Sequence, residues 1–249
     1  MDNTSKPPRP VALVTGSSRG IGAAIAQRLA ADGHAVVVNY AGRRDDAERV
    51  VERIADAGGD AIALQADVAD PGAVRRLFDA TEARFGGIDV LVNNAGVMRL
   101  APIADTDDDS FDRMVAINLK GSFNALREAM KRLRDGGRIV NLSTSVIGVK
   151  LETYGAYAAT KAAVETLTAI ASKELRGRSI TVNAVAPGPT GTDLFLDGKS
   201  PELIERMAKM NPLERLGTPD DIASVVSFLA SAQGSWINGQ VVRANGGMV

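Results

Sequence analysis

Short apolar runs rich in β-branched residues alternate along this chain with longer stretches whose apolar positions recur every three to four residues. The first run, "VALVTG" (11–16), ends at glycine and gives way to the amphipathic "GIGAAIAQRLAADG" (20–33). "AVVVNY" (35–40) precedes a charged helical run from Asp45 to Ala57, closed by Gly58 and Gly59. "AIALQADV" (61–68) leads to Asp70-Pro71, a helix-start signal, and to the periodic "AVRRLFDATEARFG" (73–86). "IDVLVNNAG" (88–96) reads as a strand. A long helix is predicted from Ser110 to about Arg134, with Phe111, Met114, Val115, Leu119, Phe123 and Leu126 as its apolar positions. "GRIVNLST" (137–144) is the fifth strand, "ITVNAVAPG" (180–188) the sixth and "QVVRANGG" (240–247) the seventh, with a helix after the fifth.

Strands this apolar, without alternation, suit a parallel sheet covered by helices on both faces. The β-α-β rhythm therefore predicts an α/β fold, a doubly wound seven-stranded parallel sheet with right-handed crossovers. The rhythm is unbroken from residue 10 to 249, which predicts a single domain. The opening "MDNTSKPPRP" is polar and proline-rich, has no apolar h-region, and is expected to be a flexible tail over residues 1–9 rather than a signal peptide. No apolar run approaches the roughly 18–20 residues needed to span a bilayer, so a cytoplasmic protein is expected.

Charge and cysteine content remove several function classes. With 29 basic and 30 acidic residues the net charge is −1, which leaves no electrostatic footprint for nucleic acid or an acidic membrane. There is no cysteine and a single histidine, His34, so thiol nucleophiles, disulfides and cysteine- or histidine-rich metal sites are excluded. Nothing places His34 beside a nucleophilic serine, and it reads as a turn residue. Two charge runs read as solvated helix ends. "DTDDDS" (105–110) has Thr106 and Asp109 spaced as a capping box, and "REAMKRLR" (127–134) puts cations at a helix C-terminus.

"TGSSRGIG" (15–22) lies between the first strand and the first helix. Gly16, Gly20 and Gly22 allow a sharp turn, a close approach to a pyrophosphate and tight helix–sheet packing, while Ser18 and Ile21 border the same turn. The helix N-terminus would aim free N–H groups at the phosphates. An acid about 20 residues on would hold the ribose hydroxyls of NAD, but "VVVNYAGRR" offers Asn39, Tyr40, Arg43 and Arg44 instead. With Arg19 in the turn, up to three guanidinium groups could meet a 2′-phosphate, which predicts NADP(H).

"KLETYGAYAATKAAVETL" (150–167) holds Tyr157 and Lys161 four apart, on one face of a helix. A free phenol has a pKa near 10. An ammonium within about 4–6 Å would lower that by roughly 1–3 units. Together with "TGSSRGIG", "NNAG" (93–96), Asn118 and "APGPTGT" (186–192), this segment resembles the short-chain dehydrogenase/reductase family from about Val11 to Val249.

The resemblance implies a Rossmann fold and an NADPH-dependent carbonyl reductase, reversible to alcohol oxidation, acting on a small molecule. It implies Tyr157 as proton donor, Lys161 as its partner and a bond to the nicotinamide ribose, and Asn118 as the holder of a relay water. A hydroxyl thirteen residues before the tyrosine would polarise the substrate carbonyl. That count selects Thr144, whereas the following S-x-x-G pattern selects Ser145, and both stay open. Asp67 and Val68 would contact adenine, and Asn93, Asn94, Ala95 and Gly96 would form the turn beside its ribose. Pro187, Gly188, Thr190 and Thr192 would border the nicotinamide, with Thr192 on its carboxamide.

By the same resemblance, the segment from about 190 to 212 forms a substrate lid. Leu194, Phe195, Leu196, Met207 and Met210 would face the pocket, or pack the two methionines on the core. Tyr154 would line the pocket or pack. The pattern "LERLGTPDDIASVVSFLAS" is similar to 3-oxoacyl-thioester reductases. Trp236 and "NGQVVRANGGMV" resemble the region through which relatives form homotetramers. A sensor or scaffold that binds NADP(H) without turnover is the competing expectation.

Overall fold

A computed structural model describes residues 9–249, so the expected tail lies outside the described residues apart from Arg9. Seven strands form one all-parallel sheet in the order β3-β2-β1-β4-β5-β6-β7. They are β1 (Val11–Val14), β2 (Ala35–Tyr40), β3 (Asp60–Gln65), β4 (Val90–Asn93), β5 (Arg138–Leu142), β6 (Thr181–Pro187) and β7 (Val241–Ala244). β1 is buried along its whole length because helices cover both faces, which is why its pattern carries no polar alternation.

Alternate strand residues feed two separate cores. Val14, Val36, Val92 and Val140 pack beneath α1 (Gly20–Ala31), α2 (Arg44–Asp56) and α10 (Pro219–Ala230). Leu13, Val37, Leu91 and Ile139 pack beneath α3 (Pro71–Phe85), α5 (Ser122–Arg132) and α7 (Gly155–Glu174). Strand order reverses between β1 and β4, so the connections leaving their carboxyl ends diverge and open a crevice. Among the described residues no helix is long and apolar enough to cross a membrane.

The predicted long helix is α4 (Asp108–Met114), a wider π-type segment (Val115–Gly121) and then α5, without a break in the chain direction. Sequence periodicity does not reveal the π-type turns, which recur at functional sites because they re-aim side chains; here they carry Asn118. The expected capping box is corrected. Asp107 caps α4 by accepting the Ser110 N–H at 2.7 Å, while the Thr106 hydroxyl donates back to the Pro102 carbonyl at 3.0 Å. A preceding turn at Ile103–Asp105 claims Thr106 first.

The basic run at the end of α5 is also more than a solvated end. Arg132 donates to Asp79 at 2.7 Å and to Glu82, tying α5 to α3.

Candidate active site

The glycine turn is held from below by side chains distant in sequence. The Gly16 N–H donates to Asn39 Oδ1 at 3.1 Å, and Asn94 Nδ2 donates to the Thr15 and Gly16 carbonyls at 3.0 and 2.9 Å. Gly16 (φ +60°) and Gly20 (φ +55°) occupy the left-handed region. A Cβ on Gly22 would come within 2.6 Å of the Gly16 carbonyl oxygen and would also collide with the Asn94 amide. Gly22→Ala is therefore expected to lower stability by about 1–3 kcal/mol and to weaken dinucleotide binding. Thermal melting with and without NADPH measures both effects, and an unchanged melting temperature would refute the packing argument.

α1 begins at Gly20 with no side-chain cap and no acid in its first turn. Its orphan N–H groups and positive dipole end face a crevice of about 570 Å³ lined by Gly16, Ser18, Arg19, Gly20, Ile21, Asn39, Tyr40, Arg43, Asp67, Val68, Asn94, Ala95, Gly96 and Thr192. An uncapped helix start beside cationic side chains fits a dinucleotide pyrophosphate.

Three expectations need adjusting here. Asn39 lines the crevice but is buried, its amide bonded to Gly16 and to the Leu64 and Ala66 carbonyls, so it acts there by holding the turn. Asn93 is buried beneath the sheet end, donating to Asn141 and to the Ser122 carbonyl, and does not border the crevice. Arg44 lies along α2 against Glu48 at 2.7 Å, which leaves Arg19 and Arg43 facing the crevice. Arg113 and Ile117, from α4 and the π-type segment, also line it, and no motif marks them.

Beyond Gly96 and Thr192 the crevice continues into a chamber of about 130 Å³. Tyr157 and Lys161 stand on one face of α7 and both border it, with Thr144, Ser145, Pro187, Gly188, Thr190 and Thr192. Apart from Asn94 and Ser143, apolar side chains form the rest of the wall. Leu194 and Phe195 belong to α8 (Asp193–Leu196), and Met207 to α9 (Pro201–Ala208). Tyr154 lines the chamber, and Met207 faces it rather than only packing. Met98, Val146, Leu151 and Met248 complete the wall without any signal in the sequence.

The two hydroxyls before α7 are told apart by their partners. Ser145 donates to the Ala186 carbonyl at 2.9 Å and accepts from Asn245 Nδ2 at 2.9 Å, so both its capacities serve β6 and the C-terminal segment. The Thr144 hydroxyl instead accepts the Val146 N–H at 3.3 Å and borders the chamber beside Tyr157, its O–H donating to no partner among the described residues. Lys161 is buried and donates to the Leu142 carbonyl at 2.7 Å. A Cβ on Gly96 would lie 3.3 Å from Asn118 Oδ1 and 3.5 Å from Lys161 Nζ, so only glycine leaves this strip of crevice floor open. The Asn118 amide clamps Val97 in both directions, at 2.8 and 2.9 Å, and donates to Thr160 at 3.2 Å. It thus fixes the loop after β4, with both amide N–H bonds spent on protein partners.

Electrostatics overturn one expectation. Burial pushes the Tyr157 phenol up to about 12; the neighbouring Thr144 hydroxyl opposes this and Tyr154 adds to it. Burial also pushes Lys161 down to about 8. In the protein alone desolvation outweighs any tuning of the phenol by the ammonium, so Tyr157 is a neutral acid at pH 7.

A tyrosine–lysine pair four apart, a threonine hydroxyl bordering the same chamber and a glycine-turned crevice at the sheet's reversal point are accompanied by a sequence-family match. The model described as enoyl-(acyl carrier protein) reductase matches residues 16–249. The chain belongs to the short-chain dehydrogenase/reductase family. It is 46% identical to an NADPH-dependent aldehyde reductase-like chloroplastic protein of Arabidopsis thaliana, over 98% of this chain and 97% of that one. Versicolorin reductase of Emericella nidulans is 43% identical over 95% of this chain and 94% of its own. A Burkholderia cenocepacia short-chain dehydrogenase crystallised with NADP superposes with a TM-score of 0.90 at 40% identity, covering 96% of this chain and 97% of that one. For this short-chain dehydrogenase/reductase the paired arginines and the absent acid after β2 agree with a phosphorylated dinucleotide.

Proposed function

We propose that the chain reduces a ketone on an apolar body to a secondary alcohol, with Tyr157 delivering the proton. It is an oxidoreductase of C=O and CH–OH groups that takes NADP(H). The placement of Tyr157, with the buried Lys161 one turn on and Thr144 beside it, on the wall of one apolar chamber is the observation that carries the proton-donor assignment. When bound, the reduced nicotinamide supplies the hydride.

The chain's own groups do the rest. Arg19 and Arg43 hold the 2′-phosphate, and the α1 N-terminus holds the pyrophosphate. The Thr144 hydroxyl donates to the substrate carbonyl and aligns it on the phenol. As negative charge grows on that oxygen, the Tyr157 O–H transfers its proton, and the Lys161 ammonium offsets the charge left on the phenolate. Asn118 keeps Val97, and with it the loop beside Gly96, in place. The lid over residues 190–212, with α8 and α9, closes the apolar side of the chamber.

Assembly as a homotetramer and a cytoplasmic setting belong to the same reading. Trp236 is 97% exposed, with Phe228 and Val241 exposed near the free edge at β7, while Phe111, Phe123 and Ile170 are exposed on α4, α5 and α7. Two such faces support two different two-fold contacts, which close a tetramer.

The test is turnover of aryl ketones with NADPH by the parent, Thr144→Val and Ser145→Ala. Thr144→Val is expected to lose about 10- to 1000-fold in kcat, on the scale of one donor to a developing oxyanion. Ser145→Ala should lose about 1–2 kcal/mol of stability while keeping most of kcat. The reverse ranking would return the role to Ser145, and a parent that binds NADPH without reducing any ketone would favour the sensor.

A further inference from the structure

Outside the chamber the walls spread into a mouth of about 1620 Å³, and its lining follows a rule. Three separate segments approach it: the loop after β4, the loop between α6 (Val146–Val149) and α7, and the lid helix α9. Each gives the chamber an apolar residue and gives the mouth a basic neighbour in sequence. The pairs are Met98 and Arg99, Leu151 and Lys150, and Met207 and Arg206. The apolar member of each pair lines both spaces, while the basic member lines the mouth alone and is exposed.

The other cations around the mouth have partners. Arg19 is paired with Asp193 at 3.2 Å, and Arg43 with Asp46 at 3.3 Å. Lys199 donates to the Phe195 carbonyl. Glu152 and Asp197 are the mouth's acids without an ion pair among the described residues, so the three free cations still outnumber them. Arg99, Lys150 and Arg206 form no ion pair among the described residues. Lys150 also sits at φ 58° and Thr153 at φ 70°, a backbone region that side-chain-bearing residues avoid. Strain of this kind concentrates where a segment contacts a ligand.

We infer that the ketone substrate is an anionic amphiphile, and this rests on the carbonyl-reductase reading above. Its carbonyl end meets Tyr157 and its apolar body fills the chamber. A carboxylate, sulfate or phosphate at the far end rests among Arg99, Lys150 and Arg206. Unpaired cations at a low-dielectric rim also draw such an anion inward during encounter, an attraction that salt screens.

The test compares one aryl ketone carrying a distal carboxylate with its methyl ester and with the matching phosphate monoester, using NADPH at pH 7. The acid is expected to exceed the ester in kcat/KM by about five- to tenfold at low salt, three exposed pairs being worth that much together. The difference should lie in KM rather than kcat and should shrink towards unity in 1 M salt. The ratio of phosphate to carboxylate says which anion the mouth prefers. In the triple variant Arg99→Gln, Lys150→Gln, Arg206→Gln the acid-over-ester ratio should collapse, with an unchanged NADPH Kd as proof of folding.

Equal use of acid and ester by the parent, or a ratio that survives in the variant, would overturn the inference and leave the reductase standing. Failure to reduce any ketone, the ester included, would overturn both.

Discussion

Replacing Tyr157 with Phe is expected to cut ketone reduction about 10²- to 10⁴-fold, the range that a positioned proton donor contributes. The ring still packs in the chamber wall, so NADPH affinity and melting temperature should stay near the parent's. The raised phenol also sets a direction. Reduction needs Tyr157 protonated, a condition met at every pH well below about 12. Alcohol oxidation by the parent needs the phenolate, so its kcat/KM should climb about tenfold per pH unit from pH 6 to about 8, and less steeply above, where Lys161 loses the proton that offsets the phenolate. A flat oxidation profile, or a Phe variant that reduces ketones as fast as the parent, would remove Tyr157 from the reaction.

Lys161→Met should move activity and stability in opposite directions. The ammonium offsets charge on the phenolate, so reduction is expected to fall about 10²-fold or more. Its burial is costly, however. The folded lysine is pushed down to about 8 from an ordinary 10.5, so at pH 7 both folded and unfolded chains are protonated and the folded one carries the full penalty. Removing it should raise stability by about 1–2 kcal/mol at pH 7, after allowing for the lost bond to the Leu142 carbonyl. Between pH 8 and 10.5 the unfolded parent holds more protons than the folded one, so parent stability rises with pH and the gap to the variant closes. A variant less stable than the parent at pH 7 would show that the buried ammonium is held by more than that one carbonyl. This trade of stability for function is a recurrent property of active sites.

Read from the residues alone, the element order, the parallel sheet and the glycine turn were legible because each is a local pattern. A run such as "VALV" reports burial on both faces wherever its neighbours lie, and a turn needing positive φ selects glycine whatever surrounds it. Tyr157 and Lys161 were legible for the same reason, since four residues on a helix fix a shared face. The absence of an acid after β2 was likewise a local fact, and it chose the cofactor.

What the tertiary structure decided were directions and environments. Ser145 and Thr144 are adjacent in sequence and chemically alike. Ser145 is turned away by Ala186, 41 residues on, and Asn245, 100 residues on. Arg44 looks equivalent to Arg43 until Glu48 draws it along α2. The pKa of Tyr157 follows burial by segments scattered over the chain, so spacing to Lys161 could not give its sign. The chamber wall is of the same kind, because Met98, Leu151, Met207 and Met248 meet only after four distant segments have folded onto one opening. Local sequence determines which conformations a segment prefers, whereas the partners of a side chain depend on non-local packing.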